Sequence, residues 1–340
     1  VKRRIGAAIA WGLGGLAMAG ATAWGALALF YLAPGSETVR TAAAWGFAAI
    51  GLAALGALFV RRTRRLAAIG FAAAFAVVLA VWGSASPSND RDWQAEVAVL
   101  PYADIDGDRV TVHNIRNFDY RSETDFTPAY YDRSFDLRRL DRVDLVASYW
   151  MGPAIAHLFV TFGFGDDHLA ISIEARKDRT KPYATLPGFF RQYELVYIVA
   201  DERDVIRVRT NYRKDPPEEV YLFRIMGPIE NGRRLFLDYL RDINELREHP
   251  RFYNTLTTNC TTMILTHAAV NPGHLTYSWK VLASGYAPEY AYERGRLDQS
   301  LPFKELKRRA HINAAAQAAD QAADFSRRIR TASVPDNEAP

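Results

Sequence analysis

Hydrophobic and polar positions divide the chain sharply near residue 84. Before that point three apolar stretches, about 5–32, 41–60 and 66–84, are interrupted only by APGSETVR and by RRTRR. Each is close to the ~20 residues that carry a helix across a bilayer core. Buried core helices would need the same apolarity, but the Gly/Ala/Trp texture and the flanking arginines favour lipid. Lys2, Arg3 and Arg4 precede the first stretch, and Arg61, Arg62, Arg64 and Arg65 separate the second from the third. The positive-inside rule puts both basic clusters in the cytoplasm. Three crossings then leave everything after about Gly83 outside. A cleaved leader is the rival reading of the first stretch, disfavoured because the stretch is long and two more spans follow.

Beyond the spans the period changes. GSASPSNDRDW is a polar exit linker. EVAVLPYADIDGDRVTVHNIRNFDY follows and reads as strands broken at Asp106-Gly107. DIDGD is a turn rather than a calcium loop, since the later ligand Glu is missing. RVDLVASYW, HLFVTFGF, HLAISIEAR, YELVYIVA, DVIRVRTNY and EVYLFRI predict further strands. Within 204–210 the alternation is not clean, which suggests a partly buried sheet. Helical spacing starts at Asn231, where Leu235, Leu237, Leu240, Ile243 and Leu246 share one face, and Pro250 ends it. A second helix, about 261–270, stops at Asn271-Pro272-Gly273. After about Asn313 the chain is Ala/Gln/Asp-rich, predicting a frayed helix and disorder. The expected plan is α+β: a transmembrane anchor (1–84), a linker with a first strand (85–107), one extracytoplasmic domain (108–312) and a tail (313–340).

A net charge of +4 over 340 residues demands no nucleic-acid partner. No zinc-type cysteine spacing exists, and no cofactor or metal is called for. What composition adds is a solitary thiol, Cys260, in TLTTNCTTMILTH. Oxidising compartments favour paired cysteines, so a lone one there implies deep burial or a chemical task. At the first turn of its helix, unpaired N–H groups and the macrodipole favour a thiolate. The same N–H groups, with Asn259 beside them, suit an oxyanion. Thr257, Thr258, Thr261 and Thr262 offer hydroxyls for capping. Plain core packing is the competing account, because cysteine is among the most buried residue types.

A nucleophile needs a base. His267 sits about 10 Å further along the helix at ~1.5 Å per residue, too far for a hydrogen bond. His249 and His274 lie at helix ends, and His113 and His311 lack chemical context. His157 and His168 each open a strand, where either can serve as base or as a satisfied strand-end imidazole. Glu174 shares a sheet face with Arg176 and can orient an imidazole or pair with an arginine. Arg176, Arg203, Arg207, Arg209 and Arg213 suit lipid headgroups or, more simply, ion pairs with Glu202 or Asp204. Tyr193, Tyr197, Tyr212 and Phe189 suit the core or a membrane surface.

Four segments, IAHLFVTFGF, LAISIEARKD, YELVYIVADERDVIRVRTNYR and FYNTLTTNCTTMIL, resemble the Lnb N-terminal periplasmic domain family over roughly residues 108–285. The resemblance implies a circularly permuted NlpC-like papain fold, in which the histidine strand precedes the cysteine helix. It selects His157 over His168 and makes Glu174 the third member. Named relatives are lipoprotein N-acyltransferases, so it further implies acyl-thioester chemistry. Cys260 would be the nucleophile, His157 the base, Glu174 its orienter, and Asn259 or backbone N–H groups the oxyanion donors. The substrate expected is a lipoprotein or phospholipid in the membrane. Two other functions compete: a cell-wall peptide hydrolase or amidase, and a catalytically silent domain that binds envelope components.

Overall fold

The computed structural model describes residues 2–180 and 182–331. It divides into two compact units, Val1–Ser88 with Ala184–Gln192, and Asn89–Tyr183 with Tyr193–Pro340.

Three helices build the first unit: α1 (Lys2–Leu32), α2 (Glu37–Ala57) and α3 (Arg64–Ser84). Ser36 caps α2, accepting from the Val39 N–H, so this helix starts ahead of the apolar run that predicted it. All three are long and apolar enough to cross a membrane, over Ile9–Leu32, Glu37–Ala57 and Arg64–Ser84. Leu13, Leu16, Trp45, Leu52, Leu66 and Ile69 remain exposed on them, a surface that water would penalise and acyl chains would not. Glycine lets α1 and α2 approach closely. A Cβ on Gly25 would lie 2.5 Å from the Phe47 ring, and one on Gly51 2.3 Å from Thr22. Phe190, from the returning segment, sits 5.3 Å from the Tyr31 ring and 6.3 Å from Trp82. Phe189 packs against the same cluster.

The second unit is α+β. Its strands are β1 (Tyr102–Asp106), β2 (Arg109–Arg116), β3 (Asp119–Tyr120), β4 (Phe126–Thr127), β5 (Tyr130–Asp136), β6 (Arg142–Tyr149), β7 (Ala156–Phe164), β8 (Asp167–Arg176), β9 (Glu194–Asp201) and β10 (Glu219–Arg224). The main sheet runs β1-β2-β9-β8-β7-β6-β10, with β5 paired to β2. The DIDGD segment is the β1–β2 turn, with Gly107 at φ 55°. Helices α4 (Glu202–Arg207), α5 (Ile229–Glu248) and α6 (Cys260–Ala268) follow in order. Leu235, Phe236, Tyr239, Leu240 and Ile243 of α5 bury against Val160, Phe162, Ile171 and Ile173 of β7 and β8. Another cluster joins Val146, Phe159, Ala170, Val196 and Ile198 to Val205 and Ile206.

Two expectations are corrected. DVIRVRTNY is not a strand: it forms α4 and a wider turn of helix, Val208–Tyr212. Asp201 caps α4, accepting from the Arg203 N–H at 2.8 Å; Val205 and Ile206 bury in one core cluster and Val208 in another, with Phe118 and Tyr120. The blurred alternation was this helical clustering. Nor is 313–331 disordered. After α7 (Trp279–Leu282), α8 (Ala287–Glu293) and α9 (Phe303–Ala310), the chain forms α10 (Asn313–Ala318) and α11 (Phe325–Thr331). Ala316, Phe325 and Ile329 are wholly buried. Arg330 binds Asp144 at 2.9 Å and Glu202 at 2.6 Å, both of them buried carboxylates. Alanine composition hid an apolar face that packs on the sheet. Residues 332–340 of the expected tail lie outside the described residues.

Candidate active site

Asn259 creates the site's local geometry. Its backbone is extended, its Oδ1 accepts from the Thr261 and Thr262 N–H groups, and the Thr262 hydroxyl accepts from the Asn259 N–H. This capping box starts α6 abruptly and puts Cys260 at its first position. Asn259 Nδ2 donates to the Thr255 carbonyl at 2.8 Å. The amide oxygen and one of the two Nδ2 hydrogens thus hold the turn. The Cys260 N–H takes no acceptor among the described residues.

Cys260 is half-buried. The β7–β8 ladder begins at Phe159↔Ser172, and just beyond that end the Leu158 N–H donates to the sulfur. His157, one residue earlier, hydrogen-bonds the same sulfur. Its Nε2 meets Ser172 Oγ at 2.7 Å, leaving Nδ1 for the thiol. Ser172 Oγ donates to Glu174 Oε1 at 2.9 Å, and Glu174 also lies 3.5 Å from His157 Nε2. From behind, Arg209 Nη2 donates to Glu174 Oε1 at 2.9 Å. Arg209 is itself flanked by Glu218, which receives Arg213 at 2.6 Å and the Ser148 hydroxyl.

The charge states follow from this chain of contacts. Burial would push the thiol up, but the His157 charge, its hydrogen bond and the Leu158 N–H outweigh burial and hold it below its ordinary value. Burial would push the imidazole down, yet the sulfur and Glu174 raise it to about 9. Glu174 is half-buried, which would raise it, but it is held well below the usual carboxylate range by His157 first and then Arg209 and Arg213. The arrangement stores a thiolate–imidazolium pair with a permanent anion behind the ring. Such a pair can attack a carbonyl carbon and then return a proton to a leaving group.

His168 stands elsewhere. It pairs across the hairpin with Gly163, about 20 Å along the strand from His157 at ~3.4 Å per residue, and is half-buried, with Nδ1 near the Asp166 carbonyl. His267 is buried against Tyr239, with Nδ1 2.8 Å from Asp238 and Nε2 2.6 Å from the Tyr197 hydroxyl. Arg176 does not pair with Glu174. It donates to the Val97 and Ala98 carbonyls and covers the Trp93 ring. The expected partners Glu202 and Asp204 go instead to Arg330 and Arg116. Ser172 was not foreseen. Its signal was present in SIEAR, two residues before Glu174 and so on the same sheet face.

Residues 126–285 match the Lnb N-terminal periplasmic domain. The matched segment contains His157, Ser172, Glu174, Arg209, Asn259 and Cys260. With the three apolar helices ahead of it, the chain is a membrane-embedded protein carrying a periplasmic domain. No curated protein and no solved structure matches the chain.

Proposed function

We propose that the chain is a membrane-anchored cysteine acyltransferase acting on lipoproteins or envelope phospholipids. One observation carries this reading: the only cysteine heads a helix and shares a hydrogen bond with an imidazole whose far side is held by Ser172 and Glu174. The order of His157 on β7 before Cys260 on α6 supports a circularly permuted papain-like arrangement. Basic clusters before α1 and between α2 and α3 support a cytoplasmic N-terminus.

In the proposed reaction the Cys260 thiolate attacks the ester carbonyl of an acyl donor. The Cys260 N–H, free at the helix start, is the backbone donor for the developing oxyanion. Collapse breaks the ester C–O bond, and the departing alkoxide takes the His157 proton, leaving an S-acyl enzyme and an alcohol. A neutral amine then attacks the thioester, gives its proton to His157 and expels the thiolate, forming an amide. Anchoring favours this substrate class, because enzyme and acyl donor share one surface and their encounter is two-dimensional. Water in place of the amine would make the same site a hydrolase.

The test is capture of the intermediate. Membranes holding the protein are incubated with a phospholipid bearing an alkyne-tagged acyl chain. A hydroxylamine-labile tag on the peptide containing Cys260, absent in Cys260→Ser, is expected, with acyl chains moving to lipoprotein N-termini by mass spectrometry. A Cys260→Ala protein that leaves lipoprotein N-termini processed as in wild type would end this reading.

A further inference from the structure

A cavity of about 330 Å³ lies in the periplasmic domain between β6, β7, β10, α5 and α6. Its walls are apolar: Val143, Val160, Ile225, Leu235, Ile264 and Leu297. Along α6 it touches Ile264 and Ala268, four and eight residues past Cys260 and so on the same stripe of the helix. Cys260 itself is not in the lining, and one turn of ~5.4 Å separates it from Ile264. The cavity is thus a neighbour of the thiol, not its own cleft.

The rim is cationic. Arg224 is exposed and donates only to the Asp141 carbonyl, at 3.4 Å. Arg296 donates to the Gly273 carbonyl. Neither guanidinium pairs with a carboxylate among the described residues. Of the other charged groups on the lining, Arg142 is held by Asp144 at 2.8 Å, and Asp141, the one carboxylate, accepts the Gly165 N–H at 3.2 Å. His274 binds the Asn271 carbonyl through Nδ1.

An apolar hole gains little from water, which needs polar partners to stay. A hydrocarbon chain gains from burial, and two guanidiniums free of carboxylates favour an anion at the entrance. The volume is at the low end for ligand sites, roughly 300–1,000 Å³, which fits one chain better than the two of an intact phospholipid. We propose that this cavity binds a single-chain anionic amphiphile, its chain against Ile264 and Leu235 and its carboxylate or phosphate at Arg224 and Arg296. The site is separate from the thioester chemistry, so Cys260→Ala should bind as well as wild type whether or not Cys260 is a nucleophile.

The experiment uses the full chain in nanodiscs of zwitterionic phosphatidylcholine. One probe is a long-chain fatty acid with a terminal diazirine; the control is the fatty alcohol with the same diazirine. After photolysis, mass spectrometry should place the acid on peptides spanning 224–235, 264–268 or 291–297. Arg224→Ala with Arg296→Ala should cut acid labelling about tenfold and leave alcohol labelling unchanged, the loss of charge-assisted contacts. The paired lysine variant should restore it. Displacement by unlabelled palmitate would identify a carboxylate head, and displacement by a lysophosphatidylglycerol a phosphate one. Labelling scattered outside the cavity, equal use of acid and alcohol regardless of the arginines, or displacement by neither competitor would overturn the proposal.

Discussion

The sulfur of Cys260 and the ring of His157 set each other's charge. Above its lowered value the sulfur is a thiolate, and below about 9 the imidazole stays protonated, so the ion pair fills the window between the two. The inflection of alkylation by iodoacetamide with pH should therefore lie below the ~8.5 of a free thiol. In His157→Ala burial is opposed only by the weaker hydrogen bonds from the Leu158 N–H and the Thr261 hydroxyl, and the inflection should move up. In the proposed reaction Ser172 would be a positioning residue: it touches ring and carboxylate but not the sulfur. Ser172→Ala should lower kcat about tenfold with KM little changed, short of the ~10²-fold or more for losing the proton carrier itself. Ser172→Thr, which keeps the hydroxyl, should recover most of the loss. Equal kcat in wild type and Ser172→Ala would remove the serine from the relay.

Elements supply the precision. Helix α6 owes its start to Asn259, and its position to the end of the β7–β8 ladder, where Leu158 has an N–H to spare for the sulfur. Asn259→Ala removes two capping hydrogen bonds and should cost about 1 kcal/mol in denaturant unfolding. Asn259→Asp keeps the acceptor and loses the amide donor. Retained stability and activity in Asn259→Asp, with both lowered in Asn259→Ala, is the expected pattern for a cap. Lost activity in a stable Asn259→Asp protein would place the amide at the oxyanion site.

At the scale of the molecule, the C-terminal helices are part of the periplasmic core. Arg330 pairs with Glu202 and, together with Arg142, with Asp144, and neither carboxylate reaches water. Arg330→Met should destabilise the full chain in detergent by about 3 kcal/mol at neutral pH, read by tryptophan fluorescence in urea. Burial would raise Glu202, but Arg330 outweighs it and holds the carboxyl at about 2, below its ordinary 4.5. A depressed carboxylate contributes stability that is present above 4.5 and lost as pH falls toward 2. The gap between wild type and Arg330→Met should accordingly narrow over that interval. A gap independent of pH would assign the loss to packing alone.

Local pattern determined much of this protein. Apolar runs of bilayer length mark the three helices, short runs rich in β-branched and aromatic residues mark β6 to β10, and the 3.6-residue spacing of Leu235, Leu240, Ile243 and Leu246 marks α5. Those are one-dimensional signals, because burial of a face repeats along the element that makes it. The start of α6 was legible for a similar reason, since a cap is a contact among near neighbours. Chain folding alone decided the rest. Val205–Tyr212 carries enough apolar residues for a strand or a helix, and Asp201 with the sheet surface beneath selected the helix. Alanine-rich 313–331 became ordered because its few large residues found a face of the sheet to cover. Which imidazole lies beside the thiol was a question of distance, not of residue type: His157 and His168 open strands alike, and only the hairpin register put one beside Cys260 and the other far from it. Ser172 and Arg209 joined the site because strands and helices distant in sequence converge on Glu174.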